Sequence, residues 1–397
     1  MNILLINHYA GSPQLGMEYR PFYMAKSLAE QEHEMFILAA DNSHLRNVKP
    51  LPKREVIEDV EYWWLKSYPY SGNGISRVIN IFSFLYEAIK KADDIIQWST
   101  PDVIIASSTY PLDNYLAHYL AKKCGAKVVY EVHDLWPLSP MEIGGLSKYH
   151  PFILLLQISE NYAYRNCHQV ISMLPNTIGH MLEHGLSERK YNYIPNGVYI
   201  ENIQSQDLPS EHTEALYRIK SKENPIVGYA GGHAKSNALH FLLEAAQKLP
   251  HIEFVLVGDG EQKEKLVRQA LGLDNVTFLP TISKLAVPSF LAHCDILTLV
   301  CNDSSLYRFG VSPNKIFDYM LAKKPIVQLL NTEFEPVSMA NAGFTAPNLD
   351  EYMLALKRIA GMPFEQQEIF GKNGYSYVLE HHEYSKLAAK FIEVCEK

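Results

Sequence analysis

Short apolar runs alternate with longer amphipathic stretches along most of this chain, a pattern that predicts parallel βαβ units. Residues 2–7 read as a strand, followed by a loop over 8–16 and a helix from about Arg20 to Glu30. Further strands are predicted at Met35–Ala39, Val103–Ala106, Val128–Val132 and Gln169–Ser172, with a helix over about 111–123. Tyr191–Val198 ends in a Pro-Asn-Gly turn, and the polar stretch from about 200 to 224 reads as a linker. The pattern then restarts. Strands are predicted at Pro225–Ala230, Glu253–Val257, Val276–Leu279, Ile296–Val300 and Pro325–Leu329. Helices are predicted at Asn237–Lys248, Glu261–Leu271 and about 314–322.

At 397 residues the chain is too long for one comfortable core. The predicted fold class is therefore α/β, with two Rossmann-like doubly wound domains. The first spans 1–200 and the second 201–375, and a closing helical segment at about 376–397 is expected to pack back on the first. Ligands of open α/β sheets sit outside the carboxyl ends of the strands. Two such sheets facing across a cleft are expected to hold two bulky partners, one on each domain.

Composition narrows the function. Hydrophobic residues make up 47% and charged residues 20%, ordinary for a water-soluble protein. A net charge of −8 argues against nucleic acid as a partner. The five cysteines are scattered with no CxxC pair, so neither a zinc site nor a disulfide framework is suggested, and a cytoplasmic protein with reduced thiols is expected. The first residues, Met1–Asn7, read as a strand and not as a signal peptide. No apolar run approaches the ~20 residues of a membrane span. Ile75, Val78, Ile79, Phe82, Leu85, Tyr86 and Ile89 form an apolar helical stripe with Arg77, Lys90 and Lys91 at its ends. Core packing is the expected use of that stripe, and peripheral docking at the inner face of the cytoplasmic membrane is the alternative.

Candidate chemistry clusters where predicted strands end. The first strand-to-helix loop carries Gly16, Glu18, Tyr19 and Arg20. Glycine permits close backbone approach, a helix N-terminus favours anions, and arginine offers a fork for phosphate. A flexible turn with a surface arginine is an equal reading. Strand 128–132 runs into His133-Asp134-Leu135-Trp136, where histidine could steady a sugar hydroxyl or a developing charge and the neighbouring carboxylate could orient it. In the second half, Gly232 and His233 follow a strand, as Gly258 does; backbone amides there could cradle a diphosphate. A tight turn after a buried strand is the alternative at Gly258.

The sharpest segment is Phe309-Gly310-Val311-Ser312-Pro313-Asn314-Lys315, continuing to Asp318. Ser312 reads as a helix N-cap, with Pro313 in the first turn. Lys315 in the first turn of a helix is electrostatically misplaced unless an anion binds. Asp318, three residues on, shares its face and could accept ribose hydroxyls. No D-x-D triplet occurs, so a departing diphosphate is expected to meet lysine, arginine and amides with no metal and no other cofactor.

These segments, in this order, resemble the retaining glycosyltransferases of family 4, which have the GT-B fold. The marks are Gly16 and Arg20, Ala25-Lys26-Ser27-Leu28, His33, EVHDLWP at 131–137, IPNGV at 194–198, FVLVGDGEQKEKL at 254–266 and FGVSPNKIFDYMLAKKPIV at 309–327. Bacterial enzymes that build O-antigen and capsule, including amino-sugar transferases, look most alike. The resemblance implies a nucleotide-sugar donor, uridine diphosphate before guanosine diphosphate, and a glycan or polyprenyl-diphosphate-linked acceptor. It assigns His133 and Asp134 to the reacting centre. It gives the donor to Gly16, Arg20, Gly232, His233, Gly258, Phe309, Gly310, Val311, Ser312, Asn314, Lys315 and Asp318. Glu18, Tyr19 and Trp136 fall to the acceptor. Front-face displacement with retention follows, with no firmly assigned base.

Departures from the family are plain. The first glutamate of its Glu-x7-Glu motif is absent, with Tyr307 nearest; an Arg…Lys pair is replaced by Gly232-His233 with Lys235; Glu32 and Lys323 stand where glycines are common. A sugar-nucleotide epimerase of the same fold, or a non-catalytic nucleotide-sugar-binding subunit, are the competing readings.

Overall fold

The computed structural model describes residues 1–16, 18–46, 48–72, 74–200 and 206–397. Met17, in the first predicted binding loop, and linker residues 201–205 lie outside that description. Two compact units emerge, one formed by Met1–Tyr199 with Tyr384–Lys397 and the other by Ile200–Glu383.

The first unit contains β1 (Asn2–Ile6), β2 (Glu34–Ala40), β3 (Arg54–Ile57), β4 (Val60–Leu65), β5 (Val103–Ala106), β6 (Lys127–Val132), β7 (Gln169–Ser172) and β8 (Tyr191–Tyr193). They form one sheet in the order β3-β4-β2-β1-β5-β6-β7-β8, parallel except for the β3–β4 pair. The second unit contains β9 (Ile226–Ala230), β10 (Glu253–Val257), β11 (Val276–Leu279), β12 (Ile296–Val300), β13 (Ile326–Leu329) and β14 (Gly343–Ala346). Its order is β11-β10-β9-β12-β13-β14, with all pairs parallel.

Both sheets are doubly wound, as the apolar runs foretold. The central strands β5, β9 and β12 are buried at every residue, because helices cover both faces of a parallel sheet. Strand order reverses between β1 and β5 in one unit and between β9 and β12 in the other. Connections diverge at such switch points and leave a crevice at the strands' carboxyl ends. Each unit therefore has one place where its own fold prepares a ligand site.

Two elements differ from the sequence reading. The closing segment is two helices, Phe364–His381 in the second unit and Tyr384–Glu396 in the first. Tyr384, Leu387, Ala388, Phe391 and Val394 are buried in the same core as Phe22, Leu28 and Ile37, so the last helix completes a hydrophobic face left open by the N-terminal unit. The apolar stripe, in turn, is largely not core. On helix Ile75–Lys90, Leu85 is buried, but Ile75, Ile79, Phe82, Tyr86 and Ile89 are exposed by 81, 44, 44, 69 and 47%. The buried face of that helix consists instead of Asn80, Ile81, Phe84, Leu85 and Ala88, one position out of phase with the predicted stripe. Among the described residues, no helix is long and apolar enough to cross a membrane.

Candidate functional site

Beside the switch point of the first unit a buried charge network occupies the carboxyl ends of β5 and β6. Glu131 is the next-to-last residue of β6 and is buried, as is Arg20. Arg20 Nε and Nη2 donate to Glu131 Oε1 at 3.1 and 2.8 Å, and the remaining donors reach the carbonyls of Ile194 and Pro195. Ser107 Oγ donates to Glu131 Oε2 at 2.7 Å. His133 then stands between two carboxylates, with Nε2 3.1 Å from Glu131 Oε2 and Nδ1 3.3 Å from Glu18 Oε1.

Electrostatics follow from this packing. Burial works to lower the pKa of His133, but bonds and charges from Glu131 and Glu18 outweigh it and raise the value to about 10. Glu131 is the mirror case: burial pushes its pKa up, and Arg20, His133 and Ser107 bring it below the usual carboxylate range. At neutral pH the site therefore holds His133 as an imidazolium beside an ionised Glu131. Glu18 takes a left-handed backbone, φ 70°, uncommon for a residue other than glycine, and so brings its carboxylate to His133.

Two sequence expectations are corrected here. Arg20 is not a phosphate fork, because its guanidinium is buried and committed to Glu131 and two carbonyls. His133 is oriented by Glu131 and Glu18, not by Asp134, whose side chain is exposed; surrounding protein raises the pKa of Asp134 against the pull of His133. Gly16 stays in the loop at φ 115°, bridged to Ser12 and Arg46. Tyr19 begins the helix Arg20–Ala29, and Trp136 is half-buried with the Arg77 guanidinium 5.5 Å from its ring centre.

The second unit gathers its own cluster at the carboxyl ends of β9, β10 and β12. Loops after β9 and β10 interlock through backbone bonds: Gly231 N donates to Val257 O at 3.0 Å and His233 N to Asp259 O at 2.8 Å. A Cβ on Gly258 would stand 1.9 Å from Gly231 O, and one on Gly231 would stand 2.1 Å from Lys315 Cε. Glycine is required at both positions by close approach. The stem of Lys315 thus lies on the Gly231 turn, its Nζ donates to Asn237 Oδ1 at 3.2 Å, and the ammonium sits 5.6 Å from the Tyr229 ring centre. Burial lowers the Lys315 pKa, while Cys301 and Asp318 raise it. Among the described residues, no carboxylate pairs directly with this ammonium. Asp318 pairs instead with Lys284.

The helix carrying Lys315 runs from Asn314 to Leu321, with Pro313 at the N-cap and no side-chain cap bond. Ser312 therefore stands outside the cap position predicted for it. Lys315 remains in the first turn, which contains no acidic residue. Phe309 and Gly310 are buried, Val311 and Ser312 half-buried, and Asn314 exposed, so the approach to the helix start is graded from core to solvent. Gly232 is exposed beside it. His233 is buried, its N–H is used by Asp259, and neither ring nitrogen has a hydrogen-bond partner. Burial first, then Lys263, lowers its pKa to about 4, so the ring is neutral. His233 therefore does not present the cation that an Arg at this place would. A pocket of about 470 Å³, lined in part by Lys235, Ala238, His240, Glu244, Gln262 and Asn302, opens beside this cluster and not on it.

With both clusters placed, comparison with known proteins identifies the family. The model of Glycosyltransferase Family 4 matches residues 16–202, and that of Glycosyl transferases group 1 matches residues 224–360. The chain is a glycosyltransferase, with one of these two models matching each of its halves. A search of curated protein sequences finds no significant match. Solved structures agree on the fold. Sucrose-phosphate synthase from Thermosynechococcus elongatus is 15% identical with a TM-score of 0.75, over 99% of this chain and 98% of that one. Anabaena HepE in complex with UDP-glucose is 14% identical with a TM-score of 0.67, over 99% of each chain. WaaG, a glycosyltransferase of lipopolysaccharide biosynthesis, is 13% identical with a TM-score of 0.66, over 99% of each chain. The fold class is GT-B.

In this glycosyltransferase the sequence missed Glu131 and Ser107. A signal for the first was present: a carboxylate in the apolar strand Val-Val-Tyr-Glu-Val needs a buried partner, and Arg20 supplies it.

Proposed function

We propose that this glycosyltransferase moves an N-acetylated amino sugar from a UDP-linked donor, with retention, to a glycan or polyprenyl-diphosphate-linked acceptor of surface polysaccharide. One observation carries the reading: a half-buried lysine with no carboxylate partner among the described residues, in the first turn of a helix, resting on a glycine turn at a switch point. That is a positive charge bonded to a neutral amide oxygen at the start of a helix without a side-chain cap bond, and a diphosphate satisfies it. The UDP-glucose bound in HepE and the pathway of WaaG support the choice of donor and product class.

In the proposed reaction the diphosphate leaves with the electron pair of the anomeric C–O bond. Lys315 and the amides near Gly232, Gly258 and residues 309–314 receive its charge. Asp318 exchanges Lys284 for the ribose hydroxyls. The acceptor hydroxyl attacks from the same face and its proton passes to the departing phosphate oxygen. His133 remains a cation and, with Asp134 and Gly16, contacts the transferred sugar, while Glu18, Tyr19 and Trp136 face the acceptor. No metal or other cofactor takes part. Peripheral contact with an anionic membrane, through the exposed face of helix Ile75–Lys90, brings the enzyme to a lipid-linked acceptor.

Lys315→Gln is expected to lower kcat/KM by at least about 100-fold, as loss of one charge-stabilising donor does. UDP should raise the melting temperature of the wild type and not of the variant. Unchanged transfer in Lys315→Gln, or immediate loss of wild-type turnover on adding chelator at 25 °C, rejects the mechanism.

A further inference from the structure

A second cluster of chemically able side chains lies in the first unit, on residues other than those assigned to transfer. Glu160 is on helix Pro151–Asn166, and His180 and His184 lie on and just after helix Ile178–Glu183, on the far side of β7 in sequence. One ligand atom from each falls within 4.8 Å of the other two. Glu160 is buried and both histidines are half-buried. Residues four apart on a helix share a face, so His180 and His184 turn toward Glu160 together.

The surrounding hydrogen bonds do not balance. Glu160 Oε1 accepts from the Tyr164 hydroxyl at 3.1 Å and lies 3.0 Å from His180 Nε2. Gln157 Nε2 contacts Glu160 Oε2 at 2.8 Å, Asn161 Oδ1 at 2.9 Å and His184 Nδ1 at 2.9 Å. An amide nitrogen has two hydrogens for these three acceptors. A proton on His184 Nδ1 would serve Asn161 Oδ1, 3.1 Å away, but would then oppose the Gln157 N–H. Flipping the Gln157 amide sets oxygen against carboxylate. No tautomer satisfies every contact.

We propose that Glu160, His180 and His184 form a binding site for a divalent transition metal of the zinc class. Two imidazole nitrogens and one carboxylate oxygen are a common ligand set for such an ion, with Asn161 Oδ1 or a water in the fourth place. Tyr164 and Gln157 orient the carboxylate, the outer support that metal ligands usually have. The ion would tie the helices before and after β7 together. Its role is a staple within the first unit, separate from the transfer chemistry.

The test uses the full-length protein stripped with chelator and titrated with zinc and, for absorption spectroscopy, cobalt(II). One equivalent of zinc is expected to bind with a dissociation constant below about 1 μM. Cobalt should give visible d–d bands, and His184→Asn and Glu160→Gln should each weaken zinc binding by about 100-fold or more. Zinc should raise the melting temperature of the wild type alone, with turnover at 25 °C unchanged. Absence of tight binding in the wild type overturns the site even if the variants fail to fold. Equal binding by wild type and folded variants overturns it as well, by placing the metal elsewhere.

Discussion

His133 shows how a single residue can make an enzyme sensitive to pH without being exposed. Its raised pKa contributes stability that is fully present below its unfolded value, about 6.5, and is lost as pH rises toward about 10. Glu131 acts in the opposite sense: with a depressed pKa, it contributes stability above the ordinary glutamate value, about 4.5, that is lost as pH falls. The network is therefore strongest between about pH 4.5 and 6.5 and weakens through the alkaline range. Since one pKa unit is worth about 1.4 kcal/mol, the alkaline loss should reach a few kcal/mol. Melting curves of wild type and His133→Asn, compared from pH 6 to 10, should converge as pH rises; a constant difference would show that the histidine is not charged. The same residues mark what the sequence could reveal. Lys315 was legible because a cation in a first helical turn violates a local rule. Arg20 was misread because sequence shows that an arginine begins a helix but not which side of the helix faces the sheet. Glu32 and Lys323, in places where the family commonly has glycine, do take left-handed backbones, φ 65° and 55°. The Lys323 ammonium lies 4.0 Å from the Tyr375 ring centre, a contact that offsets part of that strain.

At the scale of elements, parallel strands were the most legible because they are buried on both faces and read as continuous apolar runs. The β3–β4 hairpin escaped notice. Its turn places Glu58 and Asp59 at φ 45° and 66°, conformations that hairpins usually give to Asn-Gly. Helix Ile75–Lys90 was recognised as amphipathic but with the wrong face inward, since it has apolar residues on two sides. Exposing Ile75, Ile79, Phe82, Tyr86 and Ile89 to water is unfavourable by about 25 cal/mol for each Å² that a partner could cover. Docked on a bilayer, this face would gain that energy, with Lys90 near anionic headgroups. The wild type should co-sediment with vesicles containing phosphatidylglycerol, and the Phe82→Ser/Tyr86→Ser pair should reduce bound protein several-fold. Binding that ignores both anionic lipid and these substitutions would assign the stripe to another protein surface.

For the whole molecule, the chain enters the first unit, leaves it near Tyr199 and returns at Tyr384. The return is thermodynamic as well as topological, because the last helix supplies side chains to a core whose other members lie in the first two hundred residues. Phe391 is fully buried there. Truncating it to alanine removes a large apolar side chain and leaves a cavity, at a cost of about 3–5 kcal/mol. In a unit of this size that corresponds to a fall in melting temperature of roughly 10 °C. The second unit has a separate core, built around Tyr229, Leu256 and Tyr352, and loses nothing directly. Calorimetry of Phe391→Ala should therefore show a lowered transition that UDP does not restore, beside one that UDP still raises. A UDP-sensitive transition that fell equally would mean that the two cores unfold together and that the last helix supports the donor site too.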